Sequence, residues 1–449
     1  MNRPHCSHTI LTRSRRSNRL KLGLAALLLL SWYTSAAGPQ TATAGFRAAC
    51  VKVDITPETP QWLLGFGERR SEGVHDRIYH RIVAMDRGRR EFFLISSDLS
   101  RVSPSVYDEF CEKLKRETGI QASQLWWAST HTHGAPLVGP PGLTLLLNPE
   151  RYQHELNTQY SAKVLRALEG GIKQAQSKLE PARLRIGVGT AEANVNRRAK
   201  GPDGQIVLGV NPDGPVDRQL GLLKLERLDG APIALIANYA MHGTAVGSKN
   251  KLITADAAGV VSEYVEEKLG APMLFLNGAA GNVAPIRSRP DFTGSPILEF
   301  KALLGDPILA AARFLAAPLP KIVLETEEVI VETPRKAGFG WTDDLGKYTR
   351  TARDGSNIVR LPLRFLSIGP NAVAWCAPVE MFSEIAMNVR KQSPYQYTFF
   401  FGYCNGSLLY LPTKQAIREG GYEPRTSPFT EQAEADVTLA AVNYLRGHR

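Results

Sequence analysis

Two histidines separated by one residue form the part of this sequence best suited to chemistry. His131 and His133 lie in the segment Ser-Thr-His-Thr-His-Gly, directly after an apolar run that is typical of a strand. Neutral imidazole is a common zinc ligand, and the side chains of residues i and i+2 in an extended backbone point to the same side. A polar turn whose histidines cap backbone groups gives the same pattern, so His-x-His alone does not define a metal site.

A third histidine follows another predicted strand. His242 comes shortly after the apolar segment 232–237. In α/β sheets, ligand and catalytic groups gather at the carboxyl ends of strands, where loops meet over the sheet edge. We therefore expect His242 to share a site with His131 and His133, although a buried structural histidine also fits this position.

A carboxylate and two tyrosines further along the chain are further candidates. Glu380 follows the predicted strand 372–375 and opens a predicted helix, where the helix dipole would itself favour a carboxylate. Tyr410 stands twelve residues before Tyr422. Taken singly, Glu380 is explained by the favourable position at a helix start, and each tyrosine is explained by packing. For Glu384, one helical turn after Glu380, we expect a solvated helix face.

The elements that must hold these residues alternate between short β-rich runs and longer helical ones. Helices are predicted from apolar residues spaced by four, as for Val106, Phe110 and Leu114. The pattern predicts an α/β catalytic domain with a mixed sheet, helices packed on the sheets and a metal site at strand ends. Predicted strands are 81–85, 91–96, 124–128, 219–227, 232–237, 273–276, 360–366 and 372–375, and predicted helices are 104–117, 152–178, 254–269 and 430–446.

Three segments are predicted to be irregular. Turn signals at 197–217 predict a long loop, and the polar stretch 334–357 predicts an excursion or lid. The small-residue segment 277–282 predicts a loop whose glycines allow a close approach to a ligand, or an ordinary tight turn.

The amino-terminal residues carry the features of a secretory signal. Residues 1–37 hold six basic side chains and no acidic one, and an apolar run at 22–30 precedes the small residues Ser35, Ala36 and Ala37. We expect residues 1–44 to be a signal peptide and short linker, residues 45–449 to be the catalytic domain, and the product to be exported to a periplasm or secreted. An uncleaved membrane anchor is the alternative.

The net charge and the number of cysteines limit the classes of protein to which this chain can belong. The formal charge of +11 falls to +5 without the six basic residues of the leader, so a nucleic-acid partner has little support. Four cysteines, namely Cys50, Cys111, Cys376 and Cys404, remain after the leader. They are compatible with two disulfides in any of three pairings or with four buried thiols. The oligomeric state is not determined by these features.

The ordered set of motifs resembles the catalytic domain of the neutral, non-lysosomal ceramidases. The resemblance covers about residues 48–425. It is carried by Asp54-Ile55-Thr56-Pro57, Ala193-Asn194-Val195-Asn196-Arg197, Ser-Thr-His-Thr-His, His-Gly-Thr, Asn-Gly-Ala-Ala-Gly-Asn-Val-Ala-Pro, Pro-Val-Glu, Tyr-x-Pro-Thr and Gly-Gly-Tyr-Glu.

The resemblance implies a zinc ion and a division of roles among the candidates. The implied zinc ligands are His131, His242, Glu380 and Tyr410, a set of two nitrogens and two oxygens that suits this cation. Zinc lowers the pKa of a water that it binds to about 7, which provides a nucleophile for an amide carbonyl. His133 is implied as a proton carrier, and Arg197 and Tyr422 as donors to the carbonyl oxygen.

The resemblance therefore implies a zinc-dependent hydrolase of an amide bond in a lipid-like, N-acylated small molecule, with ceramide as the leading substrate. It also allows transient contact with a membrane surface. The apolar segment 143–147 would line an acyl-chain pocket or belong to the core.

Two alternatives remain open. One is another exported metallohydrolase that acts on a different amide or ester, of which an amidohydrolase barrel would need eight strand–helix repeats. The other is a binding protein that holds the metal without catalysis.

Two departures from the family pattern bear on the substrate. Where the ceramidases read Gly-Asp-Val-Ser-Pro, this chain has Asn282 and Ala284 in place of the acid and the hydroxyl. The chain also leaves little room after Tyr422 for the immunoglobulin-like sandwich of the family, and we expect that domain to be absent.

Overall fold

The computed structural model describes residues 45–448, with gaps at 68, 89, 148, 150–154 and 288–295. The predicted signal peptide and linker, residues 1–44, therefore lie outside the described residues. Ala42–Arg449 cluster as one compact unit.

Strands between two and thirteen residues long make up just over half of the described regular structure. In chain order they are β1 (Phe46–Asp54), β2 (Gly73–Val74), β3 (Tyr79–Arg87), β4 (Glu91–Ser97), β5 (Leu125–Ser129), β6 (Glu180–Thr190), β7 (Asn194–Lys200), β8 (Ile206–Asn211), β9 (Gln219–Arg227), β10 (Pro232–Tyr239), β11 (Leu252–Ile253), β12 (Met273–Asn277), β13 (Val283–Pro285), β14 (Glu325–Pro334), β15 (Thr349–Thr351), β16 (Asn357–Gly369), β17 (Ala372–Cys376), β18 (Glu380–Met381), β19 (Tyr397–Phe401) and β20 (Tyr410–Leu411).

Helices lie between these strands. The described α-helices are α1 (Pro104–Thr118), α2 (Thr144–Leu147), α3 (Thr158–Ser177), α4 (Asp256–Leu269), α5 (Asp306–Arg313), α6 (Ser383–Gln392), α7 (Lys414–Glu419), α8 (Tyr422–Arg425) and α9 (Gln432–Gly447). Helix α1 shows how the sequence sets the two ends of a helix. Pro104 occupies its first turn, where no intrahelical donor is needed, and Gly119 ends it in a left-handed conformation with φ of 80°.

Two large mixed sheets form the centre of the fold. The first has the strand order β12-β10-β9-β6-β1-β3-β4-β5, and the second has the order β14-β16-β17-β19 with β15 beside β16. Most neighbours are antiparallel, but the pairs β4–β5, β10–β12 and β17–β19 are parallel. The eight-stranded sheet is thus mixed and has two edges, which distinguishes it from an amidohydrolase barrel.

The sheets pack face to face, and helices cover their outer faces. Alternate residues of the strands point to opposite sides, so Leu94 faces the second sheet while Ile95 faces the helices α1 and α3. Helices α4 and α5 cover the β9–β10–β12 end of the first sheet, and α6 and α9 cover the second sheet. The result is a four-layer α/β/β/α arrangement that confirms the predicted α/β class.

The carboxyl ends of the parallel strands meet at one edge of this arrangement. The Ser129 amide at the end of β5 donates to the carbonyl of Tyr403, 3.1 Å away. The Gly402 amide after β19 donates to the carbonyl of Asn277 at the end of β12, 2.9 Å away. Loops from both sheets are therefore held together at this edge, where the candidate residues lie.

Several predicted boundaries are wrong in detail. The segment 197–217 is not a long loop, because β7 and β8 form a hairpin there, and β7 buries polar side chains that carry no apolar alternation. Helix α3 begins at Thr158, after Asn157 accepts a hydrogen bond from the Tyr160 amide, and the predicted start at 152 lies outside the described residues. Residues 334–357, predicted to be an irregular excursion or lid, combine irregular segments with a 3-10 helix, Asp343–Tyr348, and the short strand β15.

Two further findings concern the described residues. Within them, every helix is too short or too polar to span a bilayer. Cys50, Cys111, Cys376 and Cys404 are free thiols, so the disulfides that their even number allows are not formed.

Candidate metal centre

The histidine segments are joined by backbone contacts between two loops. Thr132 and Gly243 form a parallel bridge, and the His133 amide donates to the Gly243 carbonyl at 2.9 Å. His131 adopts a positive φ of 65°, so the segment after β5 is not the regular extended strand that the i, i+2 argument assumes. The imidazoles of His131 and His133 nevertheless converge.

The three imidazoles meet through their Nε2 atoms. His131 Nε2 lies 3.0 Å from His242 Nε2 and 3.3 Å from His133 Nε2. His131 Nδ1 lies 2.7 Å from the Ser100 carbonyl, and His242 Nδ1 lies 3.1 Å from the Ala280 carbonyl. Each carbonyl can only accept, so it holds the proton on Nδ1 and leaves Nε2 as a lone pair directed into the cluster.

Glu380 joins this cluster from the second sheet. Its Oε2 lies 3.3 Å from His131 Nε2 and 4.0 Å from His242 Nε2. Glu380 lies in the short strand β18 and not at the first turn of a helix, since α6 begins at Ser383. Its partner in register is Tyr410 of β20, and residues that pair in register on neighbouring strands project their side chains from the same face.

The donor set fits a cation. Glu380 is fully buried, and its Oε2 has no hydrogen-bond donor among the described residues. Burial opposes its ionisation, but His131, Arg101 and Arg197 hold the pKa of Glu380 at about 2. Burial and neighbouring charges lower the pKa of His133 and His242 well below the usual value. Ring nitrogens of three histidines and a carboxylate oxygen thus converge, and His131, His133 and His242 could hold a metal ion.

Arg197 and the tyrosines lie beside this cluster. The Arg197 guanidinium carbon is 5.4 Å from the centre of the Tyr410 ring, and the Tyr410 and Tyr422 rings are 5.7 Å apart. Burial and Glu380 raise the pKa of Tyr410 well above its usual value, while Arg197 lowers it. The Tyr410 phenol therefore needs a nearby cation before it can act as a tyrosinate ligand.

A buried carboxylate organises this side of the site. Arg197 Nε donates to Glu423 Oε1 at 2.9 Å, and Arg198 Nη1 donates to Glu423 Oε2 at 3.0 Å. Glu423 is 1% exposed and directly follows Tyr422. Among the described residues, Arg197 Nη2 has no hydrogen-bond partner, so one buried donor remains available.

Two glycines permit the close approach of the loops. A Cβ atom on Gly243 would clash with the backbone of His131, and one on Gly281 would clash with the backbone of Glu380. Gly281 of the 277–282 loop therefore lies directly against the backbone of Glu380, and this close packing of the chain accounts for a glycine at this position.

Asn282 supports α6. Its Oδ1 accepts a hydrogen bond from the Ser383 amide at 3.0 Å, and its Nδ2 donates to Glu384 Oε2 at 2.7 Å. Glu384 is half-buried and does not lie on a solvated helix face. The departure from the family pattern at Asn282 thus affects contacts with the first turn of α6, which follows Glu380 in the chain.

Sequence reasoning missed two residues of the site. Arg101 Nη1 lies 3.3 Å from Glu380 Oε1, and the Tyr403 ring stacks on His131 with centroids 4.0 Å apart. The hydroxyl of Tyr403 also lies 3.3 Å from His242 Nδ1. Arg101 follows β4 at the same sheet edge as His131, so the strand-end argument could have found it. Tyr403 has no comparable signal.

Fold and site together define a mixed α/β protein with a buried histidine cluster that could hold a metal ion. The sequence model described as neutral/alkaline non-lysosomal ceramidase, N-terminal, matches residues 46–286. Because this is more than half of the 449 residues, the chain belongs to the neutral/alkaline non-lysosomal ceramidase family.

Curated relatives and solved structures agree with this assignment. The neutral ceramidase of Pseudomonas aeruginosa is 27% identical over 257 residues, which are 54% of this chain and 37% of that protein. The neutral ceramidase of Oryza sativa subsp. japonica is 26% identical over 237 residues, which are 49% of this chain and 29% of that protein. This chain therefore matches less than half the length of either relative.

The fold is similar to that of a solved relative. The crystal structure of neutral ceramidase from Pseudomonas aeruginosa superposes with a TM-score of 0.72 at 19% identity. The superposition covers 89% of this chain and 73% of that chain. The two proteins therefore share a fold over most of this chain.

Proposed function

We propose that this protein is a zinc-dependent hydrolase of the amide bond in an N-acylated lipid, with ceramide as the leading substrate. The observation that carries the proposal is the convergence of His131 Nε2, His242 Nε2 and Glu380 Oε2 within 4.0 Å, with Tyr410 paired beside Glu380. Zinc accepts such a mixed nitrogen and oxygen set. Family membership supports the reaction class.

A zinc ion held by His131, His242, Glu380 and Tyr410 would supply Lewis acidity, which lowers the pKa of water to about 7 and polarises a carbonyl. The net reaction adds one water to the amide. The bond between the carbonyl carbon and nitrogen breaks, and a carboxylic acid and a free amine result. The nitrogen must receive a proton as it leaves.

His133 is suited to move that proton. Unlike His131 and His242, whose Nδ1 atoms are fixed by carbonyls, His133 Nδ1 is buried without a hydrogen-bond partner among the described residues. Its tautomer is therefore not locked, and its lowered pKa keeps it neutral until it accepts a proton. This difference supports His133 as a proton carrier and not a fifth ligand.

Arg197 and Tyr422 would stabilise the negative charge that develops on the carbonyl oxygen. Arg197 keeps Nη2 as a buried donor because Glu423 occupies its Nε. Donors arranged in advance in a dry site contribute about 3–4 kcal/mol each to such stabilisation. Tyr422, half-buried beside Tyr410, would provide the second donor.

Apolar residues next to the site support a lipid-like substrate. Leu143 and Tyr410 belong to one buried apolar cluster, against which Leu147 and Tyr422 pack. Leu145 and Leu146 in α2 are 37% and 40% exposed, so the segment 143–147 is not simply core. We propose that this segment borders the acyl chain, and that a transient contact with a membrane surface delivers the substrate.

The proposal includes export of the protein. Residues 1–44 would direct secretion and be removed, and residues 45–449 would act as the catalytic domain.

The test combines metal analysis with hydrolysis of a fluorescent short-chain N-acylsphingosine, a panel of other N-acyl lipids and simple esters, with and without chelator. We expect stoichiometric zinc and chelator-sensitive release of fatty acid. His131→Ala and Tyr410→Phe should each lose zinc and turnover, whereas His448→Ala and Tyr397→Phe, at residues outside the site, should retain both. Unchanged zinc in His131→Ala or Tyr410→Phe would remove that residue from the ligand set, and bound zinc without hydrolysis of any amide would indicate a binding protein.

A further inference from the structure

The imidazole ring of His133 lacks the carbonyl contact that orients each neighbouring histidine. The Nδ1 atoms of His131 and His242 lie 2.7 Å and 3.1 Å from main-chain carbonyls. His133 Nδ1 is buried, and the part of the chain that the structure describes offers it no hydrogen-bond partner. The second side-chain torsion of histidine is broad and has no single preferred value. Packing must therefore set the orientation of the His133 ring.

Gly65 provides one of these packing contacts. A Cβ atom on Gly65 would lie 2.4 Å from His133 Cγ and 2.6 Å from His133 Nδ1, so no side chain fits there while the ring keeps its position. Gly65 also has a φ of 119°, a conformation that favours glycine. The backbone of Gly65 therefore lies directly against the Cγ–Nδ1 edge of the imidazole.

Phe66 contacts the same ring. The ring centroids of Phe66 and His133 are 4.7 Å apart and the planes are inclined by 67°, which is an edge-to-face arrangement. Arg69 donates to the His133 carbonyl at 2.7 Å, and its guanidinium carbon lies 5.0 Å from the centre of the Phe66 ring. His133 Nε2 lies 3.3 Å from His131 Nε2. The imidazole is thus confined with Nε2 directed into the metal cluster.

The backbone just before Gly65 is paired with the segment that follows the histidines. The Leu64 amide donates to the Ala135 carbonyl at 2.9 Å, and Leu63 forms an antiparallel bridge with Pro136. The backbone at Gly65 cannot withdraw from the imidazole without breaking these contacts. The fold therefore fixes the surface against which the ring packs.

We propose that Gly65 and Phe66 are positioning residues that hold the His133 imidazole in the orientation in which it protonates the departing amine. The inference rests on the proton transfer proposed above for His133. Because the Nδ1 edge lies against Gly65, the proton passes through Nε2. A displacement of about 1 Å in a positioned group can reduce a rate about a hundredfold, so this packing controls catalysis without contact with the substrate.

A double-mutant cycle on Gly65 and His133 tests the proposal. Gly65→Ala, His133→Ala and the double variant are compared as zinc-loaded proteins on a fluorescent short-chain N-acylsphingosine. The second substrate is p-nitrophenyl laurate, because p-nitrophenolate leaves as an anion and needs no proton. The measurements are kcat and KM for both substrates and the zinc content.

Two further variants complete the design. Phe66→Leu removes the aromatic contact and leaves the glycine backbone unchanged, so it tests the proposal without the strain that alanine introduces at Gly65. Gly67→Ala, two residues from Gly65, adds a Cβ in open space at a position without a positive φ and serves as the matched control.

We expect Gly65→Ala to lower kcat for the amide about ten- to hundredfold with little change in KM, because the ring is displaced. In the His133→Ala protein the same substitution should lower kcat by less than about twofold, since the ring that it displaces is gone. Ester turnover and zinc content should stay close to those of the unmodified protein. Phe66→Leu should give a smaller loss that is again confined to the amide, and Gly67→Ala should give none.

Full amide turnover in Gly65→Ala would overturn the proposal, as would a loss that persists undiminished in the His133→Ala protein. Equal losses on amide and ester in Phe66→Leu would also overturn it. If His133→Ala leaves amide turnover unchanged, the proton-carrier role fails together with this inference, and metal-dependent hydrolysis stands. Absence of fatty-acid release from both substrates in the unmodified protein would overturn the proposed hydrolase function and this inference with it.

Discussion

The two sides of the candidate metal centre are held in different ways. On the histidine side, formed by His131, His133 and His242, main-chain carbonyls of Ser100 and Ala280 orient the rings of His131 and His242. On the arginine side, formed by Arg197, Tyr410 and Tyr422, a single buried carboxylate, Glu423, fixes the guanidinium group.

This difference determines what can disturb each side. Main-chain carbonyls survive any side-chain substitution, so the histidine side depends on the path of the backbone. The arginine side depends on side-chain charge, which one substitution can remove. Added bulk should therefore damage the first side, and lost charge the second.

The largest effect is expected from Gly243→Ala, because its Cβ would overlap the His131 backbone. A clash with backbone cannot be relieved by rotating a side chain, so the two histidine loops should separate. We expect loss of zinc and of activity, with a lower melting temperature. Gly346→Ala, at an exposed position with open space around it and no positive φ, controls for glycine replacement at a surface site. Full zinc content in Gly243→Ala would contradict backbone anchoring.

Glu423→Gln should give the next largest effect. The amide keeps the shape but removes the charge that holds Arg197 and Arg198. We expect kcat for amide hydrolysis to fall about ten- to hundredfold, the range for groups that position a functional side chain, with zinc content unchanged. Glu419→Gln, which removes the half-exposed partner of Arg198, should change kcat by less than about twofold. Equal effects of the two substitutions would argue against a positioning role for Glu423.

A smaller effect, on stability, is expected from Asn282→Asp. The new carboxylate would face Glu384 Oε2 at the present distance of 2.7 Å. We expect the free energy of unfolding to fall by about 2 kcal/mol at neutral pH, measured by urea denaturation. Adding Glu384→Gln should restore it, because the repulsion is then removed. Failure of that second substitution to restore stability would show that Asn282 acts through another contact.

The smallest change is expected from mild acid. Burial and nearby charges hold the pKa of His242 well below the usual 6.5, and Glu380 has a pKa of about 2. Protons therefore compete weakly for these ligands, and zinc should be retained as the pH falls through 6.5. Zinc content after dialysis between pH 7.5 and 4.5 tests this. A midpoint of zinc loss at 6.5 or above would contradict it.

The sequence predicts the apolar parts of the fold better than the polar ones. The predicted bounds of helix α1 and strands β9 and β12 agree with the structure within one residue, because apolar residues recur every four positions in α1 and dominate both strands. The sequence does not predict strand β7, because most of its buried residues are polar. Its sequence therefore lacks the apolar alternation by which a strand is recognised. The apolar pattern of a segment does not predict its structure where the residues are selected for a functional site and not for packing in the core.

The same distinction applies to the site. The proximity of His131, His133 and His242 was inferred from strand ends, a rule that depends on topology alone. Glu380 was assigned to a helix start, because its cross-strand pairing with Tyr410 depends on a contact thirty residues away. The local sequence around a residue does not reveal contacts that are so distant along the chain. For the same reason, the sequence does not identify Tyr403 as a residue of the site.

Strained backbone lies where the two sheets meet. Among the described residues, the non-glycine residues with positive φ are His131, Asp256, Tyr403, Asn405 and Leu409. Each such conformation costs about 1 kcal/mol. Three of them fall within seven residues of one loop that contacts β5. The packing of the two sheets must therefore provide the free energy that holds this loop in its strained conformation. A short peptide carrying the same histidines and tyrosines would relax and lose the arrangement, and grafting this centre onto another protein would require transplanting both sheets with it.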